Sequence, residues 1–166
     1  MEYFFDVETS GFHKNGIEPT NSSQAWTVQL GFILSTKDRI YQEACLMFAP
    51  PHDNATIHPG AEKTHGISVS DCRLGGMLEI DAIDLISACV SLADVIVCHN
   101  YNFDSKFMLD ILERNEASDA KRVFLSLPWC CSMLGSTNYC KLPGKWGKYK
   151  WPKLEELEKK LFGFCM

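Results

Sequence analysis

The chain has 166 residues and a net charge of −5; 46% of its residues are hydrophobic and 22% are charged. This globular composition predicts one domain, residues 1–166, that buries its own core. The negative charge argues against a protein coated in basic residues for general DNA binding, and no apolar stretch approaches the ~20 residues of a membrane-spanning helix.

The first part of the chain predicts three successive strands. Alternating and apolar runs separated by turn-forming residues are typical of such strands, and Pro50-Pro51 ends the series because proline cannot donate to a ladder. Three strands joined in this way predict an antiparallel meander. The strands cover residues 2–7, 26–34 and 40–48, with a polar loop over 11–24 and a turn over 35–38.

The second part of the chain predicts helices alternating with short strands. Apolar residues recur at helical spacing in several segments, and short apolar runs between them are typical of buried parallel strands. The order predicts an α/β fold in which the antiparallel meander is followed by parallel strands with flanking helices. The helices cover 60–64 (closed near Gly66), 79–92, 103–114 and 154–161 (stopped by Gly163), and the strands cover 94–98 and 123–127.

Asp6 and Glu8 lie in the first strand and the residues that follow it, in the run Phe4-Phe5-Asp6-Val7-Glu8. Side chains two residues apart on a strand leave the same face, so both carboxylates project together from an apolar strand. Without a partner they would repel each other and raise one pKa. Because carboxylate oxygens are natural ligands of Mg²⁺ and Mn²⁺, the pair predicts a divalent-cation site.

A third carboxylate, Asp104, follows the strand over 94–98 and lies near the N-terminus of the next helix. An anion is favoured there by about 0.3–1 kcal/mol. On its own, Asp104 is better explained as a helix cap. Together with Asp6 and Glu8, it favours a convergence of three carboxylates at one end of the sheet.

Four segments together resemble the DEDD (DnaQ-like) 3′–5′ exonucleases, the group that includes the epsilon subunit of DNA polymerase III. Residues 6–11 are similar to the first motif of that family, and His65-Gly66-Ile67-Ser68 to its His-Gly-Ile-Thr turn. His99-Asn100 with Phe103-Asp104 resembles its second motif. Residues 153–163 resemble the helix that leads into its third motif. Each motif is weak alone, but the four occur in the family's order over nearly the whole chain.

The resemblance implies a ribonuclease H-like mixed sheet and a two-metal mechanism with Mg²⁺ or Mn²⁺, the ions about 3.5–4 Å apart. By the same resemblance, Asp6 would bridge both ions, Glu8 would hold the ion that generates hydroxide, and Asp104 would hold the second ion. These three residues are the candidate catalytic and metal-binding set.

The resemblance also implies contacts with the substrate. Thr9 would touch the terminal nucleotide, and Phe12 would stand where the family places an apolar wedge against the last base. Asn100 would help to order the site.

The family's fourth acid, an aspartate, and the general-base His or Tyr before it have no counterpart here. The sequence has no Asp after Asp119 and no His after His99. We therefore expect a chain that is truncated at its C-terminus, completed by another chain, or degenerate. A truncated form would lack a covering helix and expose apolar surface. Losing a general base typically costs about 10²–10⁴-fold, so we expect impaired activity.

Residues 141–153 hold five lysines and three aromatic residues and no acid. This composition suits a loop that follows a phosphate backbone while an aromatic ring stacks on bases, with Lys145, Trp146 and Lys148 as candidate contacts. The alternative is a solvated loop whose aromatic rings pack on the body of the protein.

The eight cysteines are most simply reduced thiols, several of them in apolar runs, in a cytoplasmic compartment. No signal peptide precedes the first strand. A zinc site is the alternative, although no CxxC pair supports it. Its candidate ligands are Cys130, Cys131, Cys140 and Cys165.

The leading hypothesis is a metal-dependent 3′–5′ exonuclease that acts on the 3′ end of single-stranded DNA or RNA. A polymerase or a completing chain is a further candidate partner, and no membrane partner is expected. A non-catalytic nucleic-acid-binding or interaction module on the same fold is the alternative. A domain with no nucleic-acid role is a third possibility.

Overall fold

The computed structural model describes residues 1–163. These residues form five strands and seven helices: three strands come first, and helices interspersed with two short strands follow. A short 3-10 turn lies at Lys145–Gly147. The strands are β1 (Glu2–Thr9), β2 (Thr27–Thr36), β3 (Arg39–Met47), β4 (Val95–Cys98) and β5 (Trp129–Cys131). The helices are α1 (Pro59–His65), α2 (Val69–Gly75), α3 (Glu79–Leu92), α4 (Tyr101–Arg114), α5 (Ser118–Ser126), α6 (Ser132–Cys140) and α7 (Leu154–Phe162).

The five strands form one mixed sheet in the order β3-β2-β1-β4-β5. β1 pairs antiparallel with β2, and β2 with β3, so the predicted meander is confirmed. On the other side β1 pairs parallel with β4, which pairs parallel with β5. The first strand of the chain is therefore the central strand of the sheet.

Helices α3, α4 and α5 cover one face of this sheet. The inward residues of β1 alternate with outward ones, as a half-buried strand requires, and Tyr3, Phe5 and Val7 enter the core. Helix α4 supplies the opposing apolar stripe at positions i, i+1, i+4 and i+5, and all four side chains are fully buried. They are Phe107, Met108, Ile111 and Leu112.

The opposite face of the sheet is open among the described residues. Phe4 and Ile33 are neighbours across β1 and β2 on this face, and each is 37% exposed. With Val97 and Leu154 they line a groove of about 790 Å³, which Asp6 also borders. Partly exposed apolar side chains therefore lie on the face from which Asp6 and Glu8 project.

One predicted strand is wrong. Residues 123–127 belong mainly to helix α5, in which Ala120 and Phe124 are buried one turn apart against the core. A short apolar run does not distinguish a strand from a buried helix segment, and here the four-residue spacing decides. The last strand, β5, lies instead at Trp129–Cys131, directly after Pro128.

The other predicted elements are confirmed to within a few residues, including the helix over 79–92 and the left-handed Gly66 that ends α1. Ile80, an apolar residue of that helix, is exposed. Helices α2 and α6 were not predicted. None of the helices within residues 1–163 has the length and apolar character that a membrane crossing requires.

Candidate functional site

Strand β1 delivers two carboxylates to the open face. Asp6 and Glu8 lie on the outward side of the strand, opposite Gly31 and Gln29 of β2. The pairing register shifts between Glu8 and Thr9, so the strand ends in an irregularity beside the second carboxylate. Irregularities of this kind redirect side chains at sheet ends.

The connection from β4 to α4 delivers the third carboxylate. Asn100, which precedes the helix, adopts a left-handed backbone conformation with φ 79°. Asparagine tolerates this conformation better than most residues because its side chain is short and polar. The Phe103 amide donates to the Asn100 carbonyl at 2.8 Å, which closes the first turn. Asp104 then lies in that turn and is 3% exposed.

Burial raises the pKa of each of the three carboxylates, and neighbouring charges add to the rise at Glu8 and Asp104. Burial first, and then the charges of Asp6, Cys131 and Glu8, raise the pKa of Asp104 to about 8. Partial burial, and then Asp6, raise the pKa of Glu8. Partial burial raises the pKa of Asp6, although its side chain still reaches solvent. The electrostatic interaction with His99 offsets part of this rise.

This charge arrangement suits divalent cations. Oxygen Oδ2 of Asp104 is buried and has no hydrogen-bond partner among the described residues. A cation would satisfy that oxygen and cancel the repulsion among three hard oxygen donors, which are the ligands Mg²⁺ and Mn²⁺ prefer. However, no three Asp, Glu, His or Cys side chains within residues 1–163 are grouped as a ready-made metal cluster.

The raised pKa of Asp104 predicts a pH-dependent stability of the metal-free chain. The folded pKa of about 8 lies above the unfolded value of 3.8, so the folded state binds the proton more tightly. The contribution of Asp104 to the free energy of unfolding should therefore be highest below pH 4. It should fall by roughly a few kcal/mol as pH rises to 8.

Urea unfolding between pH 5 and 8.5 in EDTA measures this dependence. Asp104→Asn, which removes the titration, should flatten the profile relative to the unchanged chain. An equal pH slope in both proteins would contradict the assignment.

Two histidines near the carboxylates are held by hydrogen bonds. His65 accepts the Ile67 amide at Nδ1 at 3.1 Å, so its neutral ring carries the proton on Nε2. That nitrogen is buried without a partner in the described structure, and His65 interacts electrostatically with Glu8. It is thus a free donor directed into the protein near the site, which the motif alone did not reveal.

His99 has both ring nitrogens engaged. Nε2 donates to the Pro152 carbonyl at 3.0 Å, and Nδ1 lies 2.9 Å from the Ser132 hydroxyl. The ring therefore connects the end of β4 to the start of α6 and to the segment before α7. These contacts give His99 a structural role.

The residues of the predicted substrate contacts lie around the end of β1. Thr9 is buried, and its hydroxyl donates to the Gly11 carbonyl at 2.9 Å, so it shapes the turn that follows the strand. Phe12 is 85% exposed and packs edge-on against Phe103, with ring centroids 6.4 Å apart. An exposed ring supported from one side has the position that stacking on a base requires.

Cys131 is a site neighbour that sequence reasoning treated only as a buried thiol or zinc ligand. Burial raises its pKa, but four backbone amides outweigh this effect and lower the pKa overall. The amides belong to Leu134, Tyr101, Asn100 and Met133. The contact depends on β5 ending beside the start of α4, which no local pattern in the sequence indicates. All cysteines within residues 1–163 are free thiols. Cys130, Cys131 and Cys140 belong to no metal cluster among these residues, and Cys165 lies outside them.

The basic segment over 141–153 is exposed on the surface. Trp146 is 95% exposed with φ 61°, and Lys145 and Lys148 on either side of it are also exposed. Lys150 is engaged in an ion pair with Glu156. The alternative in which the rings pack on the body therefore does not hold for Trp146.

Comparison with known proteins identifies the fold. No family model matches the chain, and no curated protein matches it in sequence. Among solved structures, product-bound exonuclease I matches with a TM-score of 0.75 and 20% identity over 98% of this chain and 38% of that one. E. coli exonuclease I with a dA16 oligonucleotide matches with a TM-score of 0.74 and 20% identity, covering 96% of this chain and 35% of that one. Apo exonuclease I gives a TM-score of 0.73.

These matches confirm the ribonuclease H-like mixed sheet that the motif resemblance implies. The chain spans little more than a third of the length of the solved structures it matches. The similarity concerns the fold of that portion.

Proposed function

We propose that this chain, whose fold is that of exonuclease I, is a metal-dependent 3′–5′ exonuclease domain. It would hydrolyse phosphodiester bonds at the 3′ end of single-stranded DNA or RNA. The observation that carries the proposal is the placement of three carboxylates: Asp6 and Glu8 project from one side of β1, and Asp104, in the first turn of α4, has a buried oxygen without a hydrogen-bond partner among the described residues. A divalent cation would satisfy that oxygen, and phosphodiester hydrolysis is a reaction that divalent cations assist.

Asp6, Glu8 and Asp104 would hold Mg²⁺ or Mn²⁺, which would activate the attacking water and stabilise the charge of the leaving 3′ oxygen. The chain's own contribution is positional. Strand β1 fixes two of the carboxylates in one register, and the first turn of α4 fixes the third. Fixing reacting groups in this way reduces the entropy lost on reaching the transition state.

The single-stranded nucleic acid would reach the carboxylates along exposed aromatic and basic side chains of the protein. Phe12 would stack on the terminal base, and Asn100 and the Thr9 turn would order its surroundings. Lys145, Trp146 and Lys148 would follow the backbone further from the 3′ end, because exposed lysines beside an exposed ring suit single-stranded nucleic acid.

A second candidate function is a non-catalytic nucleic-acid-binding module on the same fold. Two observations favour it: the described residues contain no ready-made metal cluster, and both ring nitrogens of His99 are engaged. The sequence also has no Asp after Asp119 to serve as a fourth ligand. An enzyme with these features would be impaired, or would depend on a completing chain or a polymerase subunit. Its free thiols suit a reducing compartment such as the cytoplasm.

A 3′-end degradation assay separates the two functions. The chain is incubated with a single-stranded oligonucleotide labelled at its 5′ end, with Mn²⁺ or with EDTA. The exonuclease should produce a ladder of shortened labelled products with Mn²⁺ alone. An oligonucleotide with hydrolysis-resistant phosphorothioate linkages at its 3′ end should remain intact.

Binding without a ladder would reject the exonuclease and leave the binding module. A ladder that persists with the blocked 3′ end would reject the proposed polarity.

A further inference from the structure

A polar cavity of about 550 Å³ is lined by Phe12 and by none of the three carboxylates. One wall is the loop that follows β1, and the other is the segment that precedes α1. The two walls are joined where the His58 amide donates to the Ser10 carbonyl at 2.8 Å. We refer to this space, between residues 10–25 and 52–59, as the loop cavity.

The first wall of the loop cavity is fixed by a buried amide. Gln24 is 5% exposed, and its Oε1 accepts the Lys14 amide at 2.9 Å. Its Nε2 donates to the carbonyls of Lys14 and Ile17, each at 3.0 Å. A side chain that satisfies three backbone groups holds the loop in one shape, so the cavity exists without a ligand.

The loop is also anchored to the core. The His13 ring packs edge-on against Phe107 at 5.5 Å and lies 3.2 Å from a carboxylate oxygen of Asp110. Lys14, the next residue, lines the cavity. The cavity therefore has a cationic residue in its lining.

The cavity lining has no acidic side chain, although the chain as a whole has a net charge of −5. Its polar side chains include Lys14, Ser22, Ser23, His52, Asn54 and His58. His58 accepts the Gly60 amide at Nδ1 at 3.0 Å, so Nε2 of its neutral ring is a donor. Cationic and donor groups without carboxylates are the environment that a phosphate group requires.

We propose that the loop cavity binds a nucleotide, with Lys14 and His52 on its phosphate. This inference rests on the proposed function and adds a binding site to it. The cavity volume exceeds what one phosphate needs and leaves space for a sugar and a base. The nucleotide is either a unit of the bound strand or a free nucleoside monophosphate.

The test compares Lys14→Ala/His52→Ala with the unchanged chain in EDTA, so that no hydrolysis is needed. Binding of a fluorescent dT12 strand is followed by anisotropy, and binding of free dTMP by calorimetry. Loss of the Lys14 charge and of the His52 donor should weaken binding by about tenfold or more. For the nucleic-acid strand, the slope of log K against log salt should fall by about 0.7 for the one cationic contact that is lost.

Ser23→Trp is a second variant that fills the cavity without changing its charge. It should weaken binding of the same probe. Lys37→Ala, an exposed lysine in the turn between β2 and β3, is the control for a general loss of charge and should bind as the unchanged chain does. Circular dichroism establishes that each variant is folded.

Weaker binding of dT12 identifies a unit of the strand as the ligand, and weaker binding of dTMP alone identifies a free nucleotide. Unchanged binding of both probes in the two cavity variants would overturn the inference, as would a failure of the unchanged chain to bind either. The binding measurement is made without metal and is therefore independent of the degradation assay. If the unchanged chain produced a 3′ ladder with Mn²⁺ while the cavity variants bound both probes normally, the cavity site alone would be overturned. The exonuclease proposal would then stand.

Discussion

Asp6→Asn is expected to abolish metal-dependent hydrolysis while making the metal-free chain more stable. Even outer-shell partners of a metal ion typically contribute about 10–100-fold, so loss of a direct ligand should reduce the rate by more than about 100-fold. The same change removes a charge that raises the pKa of both Glu8 and Asp104. The gain in the free energy of unfolding should stay below about 1 kcal/mol, because Asp6 reaches solvent.

Glu2→Gln is the matched control, since Glu2 lies on the same strand and the same outward face, four residues earlier. Hydrolysis rates with Mn²⁺ and thermal melts in EDTA and in Mn²⁺ are measured for both variants. Mn²⁺ should raise the melting temperature of the unchanged chain and of Glu2→Gln, but not of Asp6→Asn. A variant that lost activity and kept its response to Mn²⁺ would show that Asp6 is not a metal ligand.

Arg114→Ala is expected to cause the largest loss of stability, about 3–5 kcal/mol. The guanidinium holds Glu79 of α3 through two hydrogen bonds, at 2.6 and 3.0 Å, and both side chains are nearly buried. It also donates to the Pro19 carbonyl at 3.4 Å, in the loop that follows β1. Removal of the cation leaves the Glu79 carboxylate nearly buried, with a hydrogen bond from the Asn115 side-chain amide at 3.1 Å but no cation to balance its charge.

Urea unfolding measures this loss, and Arg122→Ala is its control. Arg122 forms an ion pair with Asp119 in which both side chains are more than three-quarters exposed, and such pairs contribute about 0–1 kcal/mol. Adding Glu79→Gln to Arg114→Ala should recover part of the loss, because the uncompensated charge is then removed. Equal losses for Arg114→Ala and Arg122→Ala would contradict the assigned importance of the buried pair.

Elements that carry a repeated pattern could be predicted from the sequence. The alternation in β1 and the apolar stripe of α4 are each set by burial on one side, so the pattern and the structure have the same cause. The strand at β5 could not be predicted, because its three residues are recognisable only from their pairing with β4. A strand was wrongly predicted for residues 123–127, because a short apolar run has neither the two-residue period of a strand nor the 3.6-residue period of a helix.

The candidate site divides in the same way. Asp6, Glu8 and Asp104 could be proposed from the sequence because each lies near a recognisable boundary of a strand or helix. The free Nε2 of His65, the amides around Cys131 and the network of Gln24 arise from contacts between distant segments. Residue spacing contains no information about such contacts.

The central place of β1 affects the order in which the fold can form. Its pairing with β2 joins neighbouring segments, whereas its pairing with β4 joins Glu2 to Val95, far apart in sequence. Contacts between distant segments form late, since a long loop must first be closed. Asp6 and Glu8, near the start of the chain, would therefore wait for α4 to dock before Asp104 joins them. A folding intermediate with β1, β2 and β3 paired would contain only two of the three carboxylates and should bind Mn²⁺ more weakly than the native chain.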